Sequence, residues 1–71
     1  MNLSPVASTN IAALGHDGSV LFVRFHTGQT YKFEGVPQDT FRQLSTAPSI
    51  GSYFQRFIRP AFKGVKVNDP V

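Results

Sequence analysis

Two glycine-containing turn signals divide the first half of this 71-residue chain into three short segments. The signals are Asp17-Gly18 and Thr27-Gly28, and the segments near 10–16, 19–26 and 29–34 are rich in apolar and β-branched residues. Runs of this kind, separated by short glycine turns, are typical of β-hairpins. The pattern therefore predicts three antiparallel strands in a meander.

The length of the second turn decides which side chains face the core, because a slip of one residue turns every side chain to the opposite face. A two-residue turn would place Lys32 opposite Val23 on the apolar face. A three-residue turn, with Gly28 in the left-handed conformation of a G1 bulge, places Tyr31 opposite Val23 instead. We predict the three-residue turn because it buries more apolar surface. The predicted inner face contains Leu14, Leu21, Val23, Phe25, Tyr31 and Phe33, and the predicted outer face contains Phe22, Arg24, Thr30, Lys32 and Glu34.

The second half of the chain has helical signals. Pro37 suits a first helical turn and Asp39 adds the negative charge that a helix N-terminus favours, which predicts a short helix from about 37 to 46. Ser49 is the candidate N-cap of a second helix that Pro60 ends. The apolar residues of this second helix recur at the spacing of one buried face: Ile50, Tyr53, Phe54, Phe57 and Ile58.

The length and composition predict one small α+β domain over residues 9–67, in which two helices cover one face of the meander. Residues 61–67 are compatible with a short final strand, and residues 1–8 and 68–71 are predicted to be flexible termini. The chain has no cysteine, so packing or association must stabilise the small core. Neither a leader pattern nor an unbroken apolar run of about 20 residues occurs, which predicts an unexported, cytoplasmic protein without a membrane span.

Catalytic and metal-binding patterns are lacking in the sequence. His16 and His26 would lie about 23 Å apart on neighbouring strands, at ~3.3 Å per residue, so they cannot share a proton or a metal. Paired carboxylates, a glycine-rich phosphate loop and a His-x-x-x-His spacing do not occur. We therefore expect no enzyme activity, no cofactor and no metal.

The net charge of +3 is concentrated in the C-terminal part. Three basic and three acidic side chains cancel in residues 1–42, whereas four basic side chains in residues 43–71 face one acid. This asymmetry favours an anionic partner, and a charged surface that only maintains solubility is an equal alternative. The four candidate binding residues of this part are Arg56, Arg59, Lys63 and Lys66.

The outer face of the sheet is the second candidate surface, because Phe22 is expected there between Arg24 and Lys32. An aromatic side chain among basic ones is suited to RNA bases or to a protein partner. The competing interpretation is that the C-terminal segment or a second copy of the chain covers Phe22. The sequence leaves the oligomeric state open.

A series of short motifs along the chain resembles the KTSC domain family over residues 6–67. The motifs are Val6-Ala7-Ser8-Thr9, residues 21–25, Gly28, residues 31–33, Gly35-Val36-Pro37, residues 49–54 and Ile58-Arg59. The family is named for a domain at the C-terminus of some lysyl-tRNA synthetases, and it also occurs as stand-alone small proteins of bacteria and their phages. This sequence departs from the family pattern at Phe33, where the family has a second tyrosine. A role that needs both hydroxyls is therefore in doubt.

The resemblance implies RNA binding, which agrees with the charge distribution. The sequence thus predicts a non-enzymatic module of the gene-expression machinery that binds RNA or another nucleic acid. The alternative is a bacterial or phage regulator that docks on a host protein such as RNA polymerase and modulates transcription. The same candidate residues would serve either partner: Phe22, Arg24, Lys32, Arg56, Arg59, Lys63 and Lys66.

Overall fold

A computed structural model describes residues 3–6, 8 and 10–67, which form a five-stranded antiparallel sheet and two helices. The strands follow one another across the sheet in chain order: β1 (Ser4–Pro5), β2 (Ile11–Asp17), β3 (Val20–Phe25), β4 (Thr30–Glu34) and β5 (Gly64–Val67). The helices are α1 (Gln38–Ser45) and α2 (Ile50–Tyr53), and α2 continues as a π-helical turn (Phe54–Ile58). Of the described helices, none has the length and apolar character needed to cross a membrane.

The predicted α+β class and antiparallel meander are confirmed, but the sheet has five strands instead of three. The optional final segment forms β5, which pairs with β4. The segment predicted as a flexible N-terminus contributes β1, in which Ser4 lies opposite Leu14 and Pro5 opposite Ala13. A two-residue strand containing a proline has too little pattern to be found from sequence, and it forms here because the edge of β2 offers it partners. The predicted flexible segment 68–71 lies outside the described residues.

The turn between β2 and β3 consists of Gly18 and Ser19, because Asp17 pairs directly with Val20. Gly18 has a φ of +65°, and no non-glycine residue of the described chain has a positive φ. A two-residue hairpin turn with a positive φ only at its first position is of type II′, whose twist matches that of the flanking strands.

The turn between β3 and β4 has three residues and ends at Gly28, whose φ is +94°. The Gly28 N–H donates to the Phe25 carbonyl, and the Phe25 N–H donates to the Gln29 carbonyl, both at 2.9 Å. Val23 consequently lies opposite Tyr31. The predicted three-residue turn and its register are confirmed.

The core lies between the inner face of the sheet and the helices. Its buried members are Ile11, Leu14, Leu21, Val23, Phe33, Val36, Leu44, Ile50, Phe54 and Ile58. The rings of Phe33 and Phe54 meet edge to face across this layer, with centroids 5.3 Å apart. Phe25 and Tyr31, also predicted on the inner face, are half-buried and pack at the margin of the core.

Both helices begin where the sequence predicts. Pro37 is the N-cap of α1, and Asp39 lies in the first turn of that helix. The Ser49 side chain caps α2 by accepting a hydrogen bond from the Ser52 N–H at 3.4 Å. Leu44 of α1 is completely buried against the sheet, which fixes this helix over the inner face.

The second helix departs from the predicted periodicity after Tyr53. The Arg59 N–H donates to the carbonyl of Phe54, five residues earlier, at 3.0 Å, which is the bond of a π-helix. In this wider turn Phe54 and Ile58 remain buried, while Phe57 is 55% exposed. The prediction that Phe57 lies in the core is wrong, because it assumed the spacing of a regular α-helix along the whole segment.

Strand β5 lies directly against Phe33. Gly64 pairs with Phe33, and a methyl group added at Gly64 would lie 2.6 Å from Cε2 of that ring. Because Phe33 is 4% exposed and packs on Phe54, the ring has little space in which to move. We expect Gly64→Ala to lower the free energy of unfolding by about 1–3 kcal/mol, as overpacking does.

Urea denaturation of the two forms measures this loss. The exposed neighbour provides the control, since Lys63→Ala should change the free energy of unfolding by less than about 0.5 kcal/mol. Equal stabilities of the two variants would show that β5 does not press on Phe33.

Candidate functional site

The two histidines support the backbone at separate places. Nε2 of His16 lies 2.7 Å from the Val36 carbonyl, and the His16 ring stacks on Phe41 at 4.9 Å. Nε2 of His26 lies 2.8 Å from the Ser8 carbonyl. A carbonyl only accepts, so each Nε2 bears the proton and donates it. Across residues 3–6, 8 and 10–67, no three His, Cys, Asp or Glu side chains come together as a metal site.

The seven candidate binding residues fall on two different surfaces. Phe22, Arg24 and Lys32 project from the outer face of β3 and β4, as predicted. Of the other four, Arg56 and Arg59 lie in or directly after the π-helical turn, Lys63 lies just before β5, and Lys66 lies in β5. The register places Lys66 opposite Tyr31, so Lys66 occupies an inner-face position of the sheet. The sheet thus lies between the outer-face group and Arg56, Arg59 and Lys66.

The outer face has its cations engaged with neighbouring side chains. Lys32 forms a salt bridge with Glu34 at 3.5 Å. Nε of Arg24 donates to the Thr30 hydroxyl at 3.3 Å, and Thr30 is only 3% exposed. Phe22 is half-buried. The outer face therefore offers a partly covered ring between two cations that already have partners.

The half-burial of Phe22 predicts an intermediate effect on stability. We expect Phe22→Ser to lower the free energy of unfolding by about 1–2 kcal/mol, since only part of the ring is removed from water. For the buried ring of Phe54, truncation to alanine should cost about 3–5 kcal/mol.

Thermal or urea unfolding of both variants distinguishes the cases. A Phe22→Ser loss equal to that of Phe54→Ala would mean that Phe22 belongs to the core. An unchanged stability would mean that the ring is fully exposed.

The basic surface, formed by Arg56, Arg59, Lys63 and Lys66, has a different environment. All four residues are exposed, and none of them forms a salt bridge within the described part of the chain. The salt bridges found there use Glu34 and Asp39, with Lys32 and Arg42 as partners. Within the basic surface the guanidinium of Arg59 donates to Gln55 Oε1 at 3.5 Å. Four positive charges are consequently left without a neutralising carboxylate among residues 3–6, 8 and 10–67.

An aromatic groove of about 560 Å³ opens beside the basic surface, between the π-helical turn and the inner face of the sheet. Its aromatic lining consists of Phe25, Tyr31, Phe33, Phe54 and Phe62, and its polar lining of Asn10, Thr27, Gln29, Gln55 and Arg59. Gly64 of β5 completes the wall. The lining contains no acidic residue, and Arg59 belongs both to this aromatic groove and to the basic surface.

A second cleft of about 530 Å³ lies at the N-terminal end of the second helix. Ser8, Ser49 and Ser52 contribute hydroxyl groups to it, and Arg56 supplies a positive charge. Gln55 borders this cleft as well as the aromatic groove. The two depressions are therefore neighbours that share Asn10 and Gln55, and each has one arginine in its lining.

The sequence indicated the basic residues but not the aromatic groove. Tyr31 and Phe54 were predicted as core residues, and both do pack against the core. Both also line the groove together with Phe62, which follows the π-helical turn and is half-buried. No local pattern predicts how that turn brings Phe62 and Arg59 beside β4.

Comparison with known proteins agrees with the motifs. The family model of the KTSC domain matches residues 7–62. A protein of Tsukamurella paurometabola is 35% identical over 65 residues, covering 89% of this chain and 97% of the relative. A protein of Stutzerimonas stutzeri is 33% identical over 55 residues, covering 75% of this chain and 78% of the relative.

The fold also matches a solved structure. The crystal structure of a KTSC domain protein from Yersinia pestis superposes with a TM-score of 0.88 and 29% sequence identity. The match covers 93% of this chain and 96% of the other. The family resemblance predicted from the motifs is confirmed.

Proposed function

The chain belongs to the KTSC domain family, and we propose that it is a non-enzymatic binding module of the gene-expression machinery whose partner is RNA or another nucleic acid. The partner meets the basic surface. The proposal rests on one observation: Arg56, Arg59, Lys63 and Lys66 are exposed and have no salt bridge within the described residues. Phosphates that replace counterions at such cations are the main source of affinity in nucleic-acid complexes.

A single-stranded RNA suits this surface better than a duplex does. Bases of a single strand are available for contact, whereas those of a duplex are stacked and paired. The basic surface borders an aromatic groove, and the combination of positive charge with aromatic side chains is how many proteins hold single strands. The helix side consequently has both kinds of group that a single strand needs.

The outer face is the weaker candidate for nucleic acid. Lys32 is partly neutralised by Glu34, and Arg24 is held at Thr30. A phosphate would have to displace or share these contacts, whereas within the described residues only Arg59 of the basic surface has a contact to share, its hydrogen bond to Gln55. The proposed interface therefore excludes Phe22, Arg24 and Lys32.

The first test compares two matched arginine substitutions. Arg59 lies on the basic surface, while Arg42 lies on α1 in a salt bridge with Asp39 at 3.8 Å. We expect Arg59→Gln to weaken binding of single-stranded RNA and to reduce the salt dependence of log K by about 0.7, the value for one phosphate contact on a single strand. Arg42→Gln should leave both quantities unchanged.

Fluorescence anisotropy of a labelled RNA at several salt concentrations measures these effects. Equal losses for the two variants would show that only the overall charge matters, and affinity without salt dependence would contradict phosphate contacts. An NMR titration with single-stranded RNA, tRNA and duplex DNA identifies the preferred class. The absence of shifts with all three would reject the nucleic-acid proposal.

A second candidate function is docking on a protein such as RNA polymerase, and the outer face supports it. Val65 of β5 is 46% exposed, and the register places it beside Lys32, with Phe22 next in the same row. A row in which an exposed aliphatic side chain and an aromatic ring flank a lysine is a suitable centre for a protein interface. We expect a pull-down from bacterial lysate to retain polymerase subunits, and Val65→Glu to abolish their retention while Arg59→Gln preserves it. Retention that survives Val65→Glu would exclude this face.

A further inference from the structure

The rings of the aromatic groove meet at steep angles. The rings of Phe25 and Tyr31 have centroids 5.7 Å apart and planes at 78°, and those of Phe25 and Phe54 are 5.7 Å apart at 70°. Because these pairs are edge to face, their members do not stack in parallel on one another. Phe25, Tyr31 and Phe62 are only half-buried and line the groove. A flat ring that enters the groove therefore finds aromatic surface against which it can stack.

The dimensions of the aromatic groove suit a small heterocycle. Its volume of about 560 Å³ lies within the range of roughly 300–1,000 Å³ that is usual for small-molecule sites. Phe33 and Phe54 are only 4% and 1% exposed, so the ring surface open to a ligand belongs mainly to Phe25, Tyr31 and Phe62. A planar base can displace water from these rings while its edge remains near the polar groups of the lining.

The rim supplies hydrogen-bonding groups of both kinds. Asn10, Gln29 and Gln55 have amide side chains that donate and accept, and Thr27 adds a hydroxyl. All four are exposed. The edges of unpaired bases also present donors next to acceptors, and proteins read them through such side chains. An aliphatic ligand would not use these groups.

The charge of the rim selects an anionic ligand. Arg59 lies at the rim, and the lining has no carboxylate that would neutralise it. Lys66 lies opposite Tyr31 in the neighbouring strand, so a second positive charge is placed next to the lining. A cationic aromatic compound is disfavoured here, whereas a base that is attached to a phosphate satisfies both the rings and the arginine.

We infer that the aromatic groove binds one unpaired base of a single-stranded RNA while Arg59 binds the adjoining phosphate. This inference rests on the proposed function and adds to it, since a basic surface alone requires phosphates and no base. With the groove, the protein prefers a strand that has an unpaired, unstacked base over one that offers only phosphates.

A comparison of two hexamers tests the inference on the full chain. One is hexauridylate, and the other is an abasic hexamer with the same ribose-phosphate backbone. We expect hexauridylate to bind about 5- to 150-fold more tightly, the range for stacking of one base on aromatic side chains. In NMR spectra the ring signals of Phe25 and Tyr31 should shift with hexauridylate and remain in place with the abasic hexamer.

A matched pair of variants locates the base. Phe62→Leu removes a ring from the groove and retains an apolar side chain, so it should lower the affinity for hexauridylate to that for the abasic hexamer. Phe57→Leu removes a ring that is 55% exposed and lies outside the groove, so it should leave the affinity unchanged. If Phe62→Leu does not fold, the comparison of the two hexamers on the unmodified chain still decides.

The outcomes separate this inference from the proposed function. Equal affinity for the two hexamers would overturn the base site and retain phosphate binding by the basic surface. Binding of neither hexamer would overturn both. Shifts of Phe25 and Tyr31 on concentrating the protein without RNA would show that a second copy of the chain occupies the groove, and would also overturn the base site.

Discussion

The left-handed backbone of Gly28 sets the register on which the remaining packing depends. The three-residue turn that ends there places Tyr31 opposite Val23, and both side chains consequently face the helices. With a turn one residue shorter, Lys32 would occupy that face and the apolar layer would be broken. Glycine adopts the required φ at no steric cost, whereas another residue would be strained. A single backbone conformation thus determines which face of the sheet becomes the core and which becomes surface.

The π-helical turn has a comparable influence on the opposite layer. Its wider hydrogen bond keeps Phe54 and Ile58 buried but turns Phe57 outward. The same turn leads the chain through Arg59 and Phe62 to β5, so that both residues border the aromatic groove. Wide turns of this kind are frequent at functional sites, and here the turn is the element that joins a positive charge to a set of aromatic rings.

The salt bridges of the acidic residues explain which basic residues keep an unneutralised charge. Glu34 and Asp39 each neutralise a nearby basic residue in the first two thirds of the chain. No described carboxylate forms a salt bridge with the basic surface. Exposed salt bridges contribute little to stability, so stability alone gives no reason for this arrangement. The proposed binding of an anionic partner gives one reason, and solubility gives another.

Much of the architecture follows from local pattern, and the reasons are specific. The strands, the Ser49 cap and the Gly28 turn depend on neighbouring residues, so their signals are present in short windows of sequence. The basic character of the C-terminal part is likewise a matter of composition. Two features of the fold escaped prediction. Strand β1 has only two residues and forms by pairing with β2. The π-helical turn lies in a segment whose apolar residues have the spacing of a regular α-helix.

What the sequence by itself determined is the family, the α+β class, the register of the central hairpin and the excess of positive charge. The tertiary structure decided where that charge lies and what lies next to it. Arg59 and Phe62 are distant in sequence from Phe25 and Tyr31, and they share one groove only because the second helix packs across the inner face of the sheet. Contacts between residues far apart in the chain leave no periodic signal, since their geometry is fixed by packing rather than by local backbone preference.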